Sequence, residues 1–372
     1  MNARELLEAA RADLARGYTV RGGTRLRQAA DAGSEEALGE LVRLLLNRRI
    51  PGDAREARKR LEAAGDKLPP ETRLLRAELR YAGVGGAAEP RLALDDLTVA
   101  AAVGLATAAT ELALIWREYG DAGLAPARAW LAVAAPDSPS ARELLALLPP
   151  GETPQNGPPP VPDDWASADQ NKGPSELLNA EPRIERFGQA LDPLECAWLR
   201  ATAQSRLAPS LVLDPRTGAP RADPTRTGET MCFGPYVPSV YARRIVARMA
   251  LLAGRTAACA EPLAVLRYLP GQEYKPHYDW LGPAALARDP LRDAGERATT
   301  VLAYLNAPEA GGGTLFPHLD LRVAPIPGDV LTFANLDAAG RPATRSQHAG
   351  EPVAAGEKWL ASLWIRARPI SA

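Results

Sequence analysis

Two patterns that do not mix along the chain predict a multidomain α and β protein. The first part reads as an N-terminal α-helical repeat, or solenoid, domain, and the last as a β-sandwich or jelly roll with supporting helices. From Arg4 to about Leu148, apolar residues recur at three- and four-residue spacing in a sequence rich in Ala, Leu, Arg and Glu. After Leu263 the pattern changes to short β-branched and aromatic runs punctuated by glycine and proline, as in an antiparallel all-β architecture. Between them, Pro149 to Pro162 is dominated by proline and glycine. Such a run favours an extended, semi-rigid connector. These signals divide the chain into residues 1–148, a linker at 149–180 and a third region at 181–372.

Within the helical part a phrase recurs, RLRQAADAGSEEALGELVRLLL from Arg25 and related runs from Ala57, Leu94 and Ala127. Its paired alanines at Ala30, Ala64, Ala102 and Ala135 are 34, 38 and 33 residues apart, a period that belongs to helix-turn-helix solenoids. Gly33, Gly65 and Gly104 are placed to end one helix before the next begins. The segment from Tyr81, YAGVGGAAEPRLALDDLTVAAAVG, resembles the turn and second helix of a Sel1-like repeat, a relative of tetratricopeptide repeats. The pattern fits equally a solenoid that binds a protein and a bundle that only packs and solubilises.

Beyond the linker, Leu191-Asp192-Pro193 marks a helix start, with Asp192 as N-cap and Pro193 at the first helical position. That helix and one over Pro238 to Gly254 are expected to support one face of the sheet. Between them, the Gly-, Pro- and Thr-rich stretch from Leu211 to Tyr236 reads as a loop, with a lid expected if it borders a site. The runs AVLRYL, TTVLAYL, TLF, LRVAPI, DVLTFAN and KWLASLWIRA read as strands.

A net charge of -1, from 44 basic and 45 acidic residues, leaves no global field to attract nucleic acid or an anionic membrane. No window approaches eighteen uninterrupted apolar residues, and the N-terminus lacks the apolar core of a signal peptide. Three scattered cysteines, Cys196, Cys232 and Cys259, form no CxxC pair and suit a reducing compartment. A cytoplasmic location, with no nucleic-acid or membrane partner, is the expectation.

The chemistry concentrates in one ordered set of motifs. His277 and Asp279 in LAVLRYLPGQEYKPHYDW, if on an extended segment, point to one face and reach one ion. Downstream follow Arg297 with Thr299 and Thr300, YLN at Tyr304 to Asn306, GGGTLFP from Gly311, PGD from Pro327, His348, and GEKWLASLWI from Gly356. This order and spacing, over roughly Leu191 to Arg368, resemble the prolyl 4-hydroxylase branch of the iron(II)/2-oxoglutarate dioxygenases. The resemblance implies a double-stranded β-helix, and a two-histidine, one-carboxylate facial triad of His277, Asp279 and His348 holding Fe(II) with positions open for 2-oxoglutarate and O2. It implies co-substrate contacts from Lys358, ten residues after His348, from Tyr268, nine residues before His277, and from Thr314. The distal carboxylate of 2-oxoglutarate requires such a buried cation. Tyr274, Arg297 and Arg226 match positions that face a bound peptide, with Gly228 standing where the family carries a serine.

The activity so implied is oxidative decarboxylation of 2-oxoglutarate to succinate coupled to hydroxylation of a C–H bond, on a prolyl residue of a protein or peptide recruited by the repeats, with L-ascorbate as reductant. Asp279 argues against halogenation, which replaces the carboxylate. Two alternatives stay open: the same chemistry on a free amino acid or small natural product, and a non-catalytic repeat adaptor with a ligand-binding barrel. His318 belongs to no motif and reads as a solvated loop residue. Glycines 311–313 read as a turn, since no strand-loop-helix context makes them a phosphate loop.

Overall fold

The computed structural model describes residues 1–152, 154, 157–162, 164–165, 173–213 and 220–370. The chain forms two compact units, Met1–Ala168 together with Gly234–Arg243, and Asp169–Phe233 together with Arg244–Ser371. No helix among the described residues is long and apolar enough to cross a membrane.

In the first unit, α1 (Ala3–Ala15), α2 (Thr19–Asp31), α3 (Glu35–Leu46), α4 (Ala54–Ala63), α5 (Pro70–Ala82), α6 (Pro90–Ala102), α7 (Ala106–Arg117), α8 (Leu124–Ala134) and α9 (Pro139–Leu147) each pack on the next. The recurrent alanine pairs fall at the ends of α2, α4, α6 and α8, where small side chains let the following helix approach. Just beyond three of those ends, Gly33, Gly65 and Gly104 adopt φ of +90°, +58° and +94°, a region that disfavours any residue with a Cβ. Asn2, Ser34, Asp53 and Ser138 cap helix starts by accepting backbone amides three residues on. The apolar stripes meet in a core around Leu26, Leu41, Leu45, Leu61 and Leu75. Charges buried beside it are paired: Asp96 accepts from Arg76 at 2.6 and 2.9 Å and from Arg80 at 2.8 Å.

In the 149–180 stretch read as an extended, semi-rigid linker, several described residues make defined contacts with the helices. Trp165 is fully buried, its ring 5.2 Å from that of Tyr81. The Trp130 indole donates to the Pro159 carbonyl at 3.3 Å, and the Tyr119 hydroxyl to Asp164 at 2.8 Å. Strand structure then begins at Ser175, six residues before the expected boundary. The proline-rich composition hid the cause: burying one indole yields about 2–3 kcal/mol, enough to dock a segment with few other apolar groups. Gly234–Arg243 joins the same unit, with Arg243 paired to Glu78 at 2.7 Å and the Tyr241 amide donating to Glu111 at 3.1 Å.

The second unit is built on strands β1 (Ser175–Asn179), β2 (Ile184–Phe187), β3 (Ala208–Pro209), β4 (Val212–Leu213), β5 (Pro220–Arg221), β6 (Glu229–Cys232), β7 (Ala264–Tyr268) and β8 (Tyr274–His277). The set continues with β9 (Arg297–Tyr304), β10 (Ala310–Gly311), β11 (Thr314–Phe316), β12 (Leu321–Val323), β13 (Val330–Ala334), β14 (His348–Gly350), β15 (Val353–Ala355) and β16 (Lys358–Arg366). An eight-stranded sheet runs β1-β2-β13-β9-β16-β7-β6-β3, and a four-stranded sheet runs β12-β11-β14-β8. All pairings are antiparallel, and Leu266, Leu302, Phe316, Val323, Phe333 and Leu360 from both sheets share one core, the two-sheet arrangement of a jelly roll. Helix α10 (Pro193–Gln204) starts with Asp192 and Glu195 in a reciprocal capping box; Glu195 also takes a bidentate pair of 2.9 Å bonds from Arg248 in α11 (Val240–Leu252). A third, short helix is α12 (Gly282–Leu286). Part of the stretch read as a lid, residues 214–219, lies outside the described residues.

Replacing Trp165 by alanine removes the anchor of its segment. Chemical denaturation of Trp165→Ala is expected to show the helical unit destabilised by about 3 kcal/mol, and limited proteolysis to cleave near residue 160.

Candidate metal centre

Strands β8 and β14 pair with His277 directly opposite His348, so both imidazoles stand on one side of the small sheet. Asp279 lies two residues beyond His277, past the strand end, and is 6% exposed. Its Oδ1 is 3.6 Å from His277 Nε2 and its Oδ2 3.5 Å from His348 Nε2. One donor atom from each residue falls within 4.8 Å of the others, and among the described residues no other group of three such donors converges.

Backbone carbonyls orient the rings. His277 Nδ1 lies 2.8 Å from the Lys275 carbonyl and His348 Nδ1 3.1 Å from that of Ser346. A carbonyl only accepts, so each Nδ1 carries the hydrogen and each Nε2 presents its lone pair to the centre. Burial and the neighbouring His348 hold the His277 pKa well below the ordinary histidine range, so the ring is neutral at pH 7. Burial opposes ionisation of Asp279, but His348, His277 and the Thr300 hydroxyl outweigh it and keep the carboxyl ionised. Thr300 donates to Asp279 Oδ2 at 2.6 Å and itself accepts from Asn335 Nδ2 at 2.9 Å. Two imidazoles and one carboxylate, with no fourth donor among the described residues, fit Fe(II) held on one side.

A cavity opens beside the triad. Lys358, from the first position of β16, is cross-strand from Tyr268 and 3% exposed. Its Nζ lies 6.0 Å from the Tyr268 ring centre and 5.9 Å from that of Tyr304. Burial pushes its pKa down to about 8, with Glu351 pulling the other way, so the ammonium is charged at neutral pH. Thr314 accepts from the Tyr304 hydroxyl at 2.8 Å, which leaves its own hydrogen for an acceptor in the cavity. Lys358, Tyr268 and Thr314 thus line one cavity with His277, Asp279 and His348.

The peptide-facing set divides. Tyr274 stacks on His277 with ring centres 3.4 Å apart, and the Arg226 guanidinium lies 5.0 Å over the Tyr274 ring; both line the cavity. Arg226 is fixed by the return limb of its loop, where Thr227 and Lys275 amides donate to Glu273 and Thr225 carbonyls, and its Nε is buried without a partner. Arg297 is engaged elsewhere: Glu261 takes bonds of 2.8 and 2.9 Å from it, and its guanidinium lies 3.7 Å over Trp364. Gly228 has a structural reason to depart from serine. A Cβ there would lie 2.7 Å from the Tyr268 ring and 2.8 Å from the Arg267 carbonyl. His318 is exposed and apart from the cluster. Sequence reasoning missed Glu261 and the roles of Asn335, Thr300 and Tyr304; of these, only Glu261 lies outside every quoted run.

Residues 263–366 match the 2OG-Fe(II) oxygenase superfamily. Prolyl 4-hydroxylase 1 of Arabidopsis thaliana is 34% identical over 211 residues, covering 53% of this chain and 73% of that protein. The prolyl 4-hydroxylase subunit alpha-1 of Rattus norvegicus is 32% identical over half of this chain, which spans about a third of that relative, 35% of its length. Among solved structures, the viral collagen prolyl hydroxylase of Paramecium Bursaria Chlorella virus-1 is similar at 29% identity over 50% of this chain and 96% of that one, with a TM-score of 0.39. A Sel1 repeat protein from Oxalobacter formigenes is similar at 18% identity over 39% of this chain and 62% of that one, with a TM-score of 0.34.

The Thr300 hydroxyl is expected to matter for metal loading and little for the fold. Isothermal titration should find Thr300→Val binding a divalent metal about 10- to 100-fold more weakly, while Thr299→Val, on the opposite face of β9, binds it normally. By sequence and by the convergence of these donors, the chain belongs to the prolyl 4-hydroxylase family of 2OG-Fe(II) oxygenases.

Proposed function

We propose that the protein hydroxylates prolyl residues of a protein or peptide, using Fe(II), 2-oxoglutarate and O2. The observation that carries this reading is the single cavity in which Lys358 and Thr314 share walls with His277, Asp279 and His348. We assign His277, Asp279 and His348 to hold the iron, which when loaded supplies the oxidising power for C–H hydroxylation coupled to 2-oxoglutarate decarboxylation.

The chain's own residues do the rest. Lys358 offers a charged, buried donor to the distal carboxylate of 2-oxoglutarate, and the Thr314 hydroxyl offers a second. The Tyr268 and Tyr304 rings flank that cation and exclude water, so an incoming carboxylate meets little competition. Thr300 and the two carbonyl contacts hold the donors in one orientation, with each imidazole donating from Nδ1 to a carbonyl. Tyr274 and Arg226 at the cavity wall are read as the contacts for the peptide. Arg297 is read as support for the loop carrying Asp279, through its 3.5 Å approach to the Asp279 carbonyl. Holding the protein substrate is assigned to the helical repeats, supported by their architecture.

Purified protein with Fe(II), ascorbate and 2-oxoglutarate is expected to form succinate faster when proline-rich peptides are added, and the peptides to gain about 16 Da, one oxygen atom. His277→Ala is expected to reduce succinate formation more than about 100-fold, since a lost ligand costs at least as much as a lost ligand support. Turnover without any peptide product would move the substrate to a free amino acid or small molecule, and absence of turnover in metal-loaded protein would refute the enzyme reading.

A further inference from the structure

One half-buried charged side chain of the cavity wall has no part in that mechanism. Glu351 follows β14, three residues after His348, and lines the cavity with Lys358. Its amide donates to the Gly313 carbonyl at 2.9 Å, and its Oε2 lies where a Cβ on Gly313 would stand. Its Oε1 pairs with Arg322 Nη2 at 2.6 Å; the arginine side chain is 70% exposed and the glutamate 16%. The pair therefore reaches from solvent to the cavity wall. Lys358 Nζ lies 4.0 Å from the position of a Cβ on Gly350, so the ammonium runs along the backbone one residue before Glu351.

Around Nζ, the titratable and charged groups are Tyr268 on β7, Tyr304 on β9 and Glu351 after β14, with Arg226 and the metal donors lining the same cavity. Of the two carboxylates in the cavity wall, Asp279 belongs to the metal site. Lys358 makes no ion pair within 4 Å among the described residues. We propose that Glu351 is a positioning residue for the co-substrate site: anchored by Arg322, its carboxylate balances the Lys358 ammonium from beyond contact distance and leaves it unpaired for an incoming carboxylate. A carboxylate in contact with Nζ would have to be displaced at every binding event, whereas none nearby would leave a desolvated cation prone to shed its proton. The opposing effects of burial and Glu351 on Lys358 agree with this placement. The inference rests on reading Lys358 as the partner of 2-oxoglutarate.

The chain has five lysines, so the titration of Lys358 can be read directly by NMR in protein carrying 13C at lysine Cε, free of metal and co-substrate, with Lys358→Met assigning its signal. Glu351→Gln is expected to lower the Lys358 midpoint by roughly one unit, and Arg322→Gln to leave it in place or raise it. In Fe(II)-loaded protein under argon, Glu351→Gln is then expected to weaken 2-oxoglutarate binding by roughly 5- to 10-fold at pH 8.5 and little at pH 6.5. An unchanged midpoint in Glu351→Gln, or an equal loss of affinity at both pH values, overturns the proposal. Failure of the unaltered protein to bind 2-oxoglutarate would instead overturn the reading of Lys358 as its partner, while the NMR midpoint still decides whether Glu351 governs the charge of Lys358.

Discussion

A carboxylate shut away from water is costly to ionise, and much of the catalytic unit serves to keep Asp279 ionised between two imidazoles. Its Oδ2 takes a hydroxyl hydrogen from Thr300, and Thr300 is itself held by Asn335 just after β13. The loop that follows is fastened by a second set of contacts: Leu281 and Gly282 amides donate to Glu296, and Arg297 is clamped by Glu261. Arg366 also donates to Glu261, so β16, which carries Lys358 at its other end, is tied to the same cluster. The metal site and the cation site are thus opposite ends of one antiparallel framework, and neither is placed by a loop alone.

The donors of the centre were legible because their chemistry needs particular residue types in a fixed chain order. With three histidines in the chain, two of them inside ordered motifs, little ambiguity remained. The long apolar strands were legible for a related reason, since β7, β9, β13 and β16 bury alternating or continuous apolar runs. Two of the short strands were not: YKPH in β8 and HAG in β14 have no apolar alternation, and they pair across the small sheet at the histidines they carry. Asn335 and Glu261 were invisible for want of any local signal; each acts across 35 or more residues of sequence. Arg297 shows the converse case, a residue whose motif position says nothing of its partners. Its place in the motif order pointed to substrate, while its guanidinium is taken up by Glu261 and Trp364.

The helical unit shows how little composition says about a segment that holds one large aromatic. Its repeats were readable from spacing because each turn reuses the same solution, small residues where helices cross and a glycine where the chain reverses. The run that follows carries no repeat and few apolar groups, yet Trp165 is fully buried, and Pro159 and Asp164 accept bonds from Trp130 and Tyr119. Averages over a window describe the solvation of a segment; a single side chain decides where it rests.

Gly228 shows what backbone can do in place of a side chain. With no room for a Cβ against Tyr268 and the Arg267 carbonyl, the main chain itself backs the Tyr268 ring, which lines the cavity. A side chain can change rotamer to admit a larger guest, but a main chain tied into a strand on one side and to Glu273 on the other cannot. That side of the Tyr268 ring is therefore rigid by construction, a limit that no change of rotamer can relax.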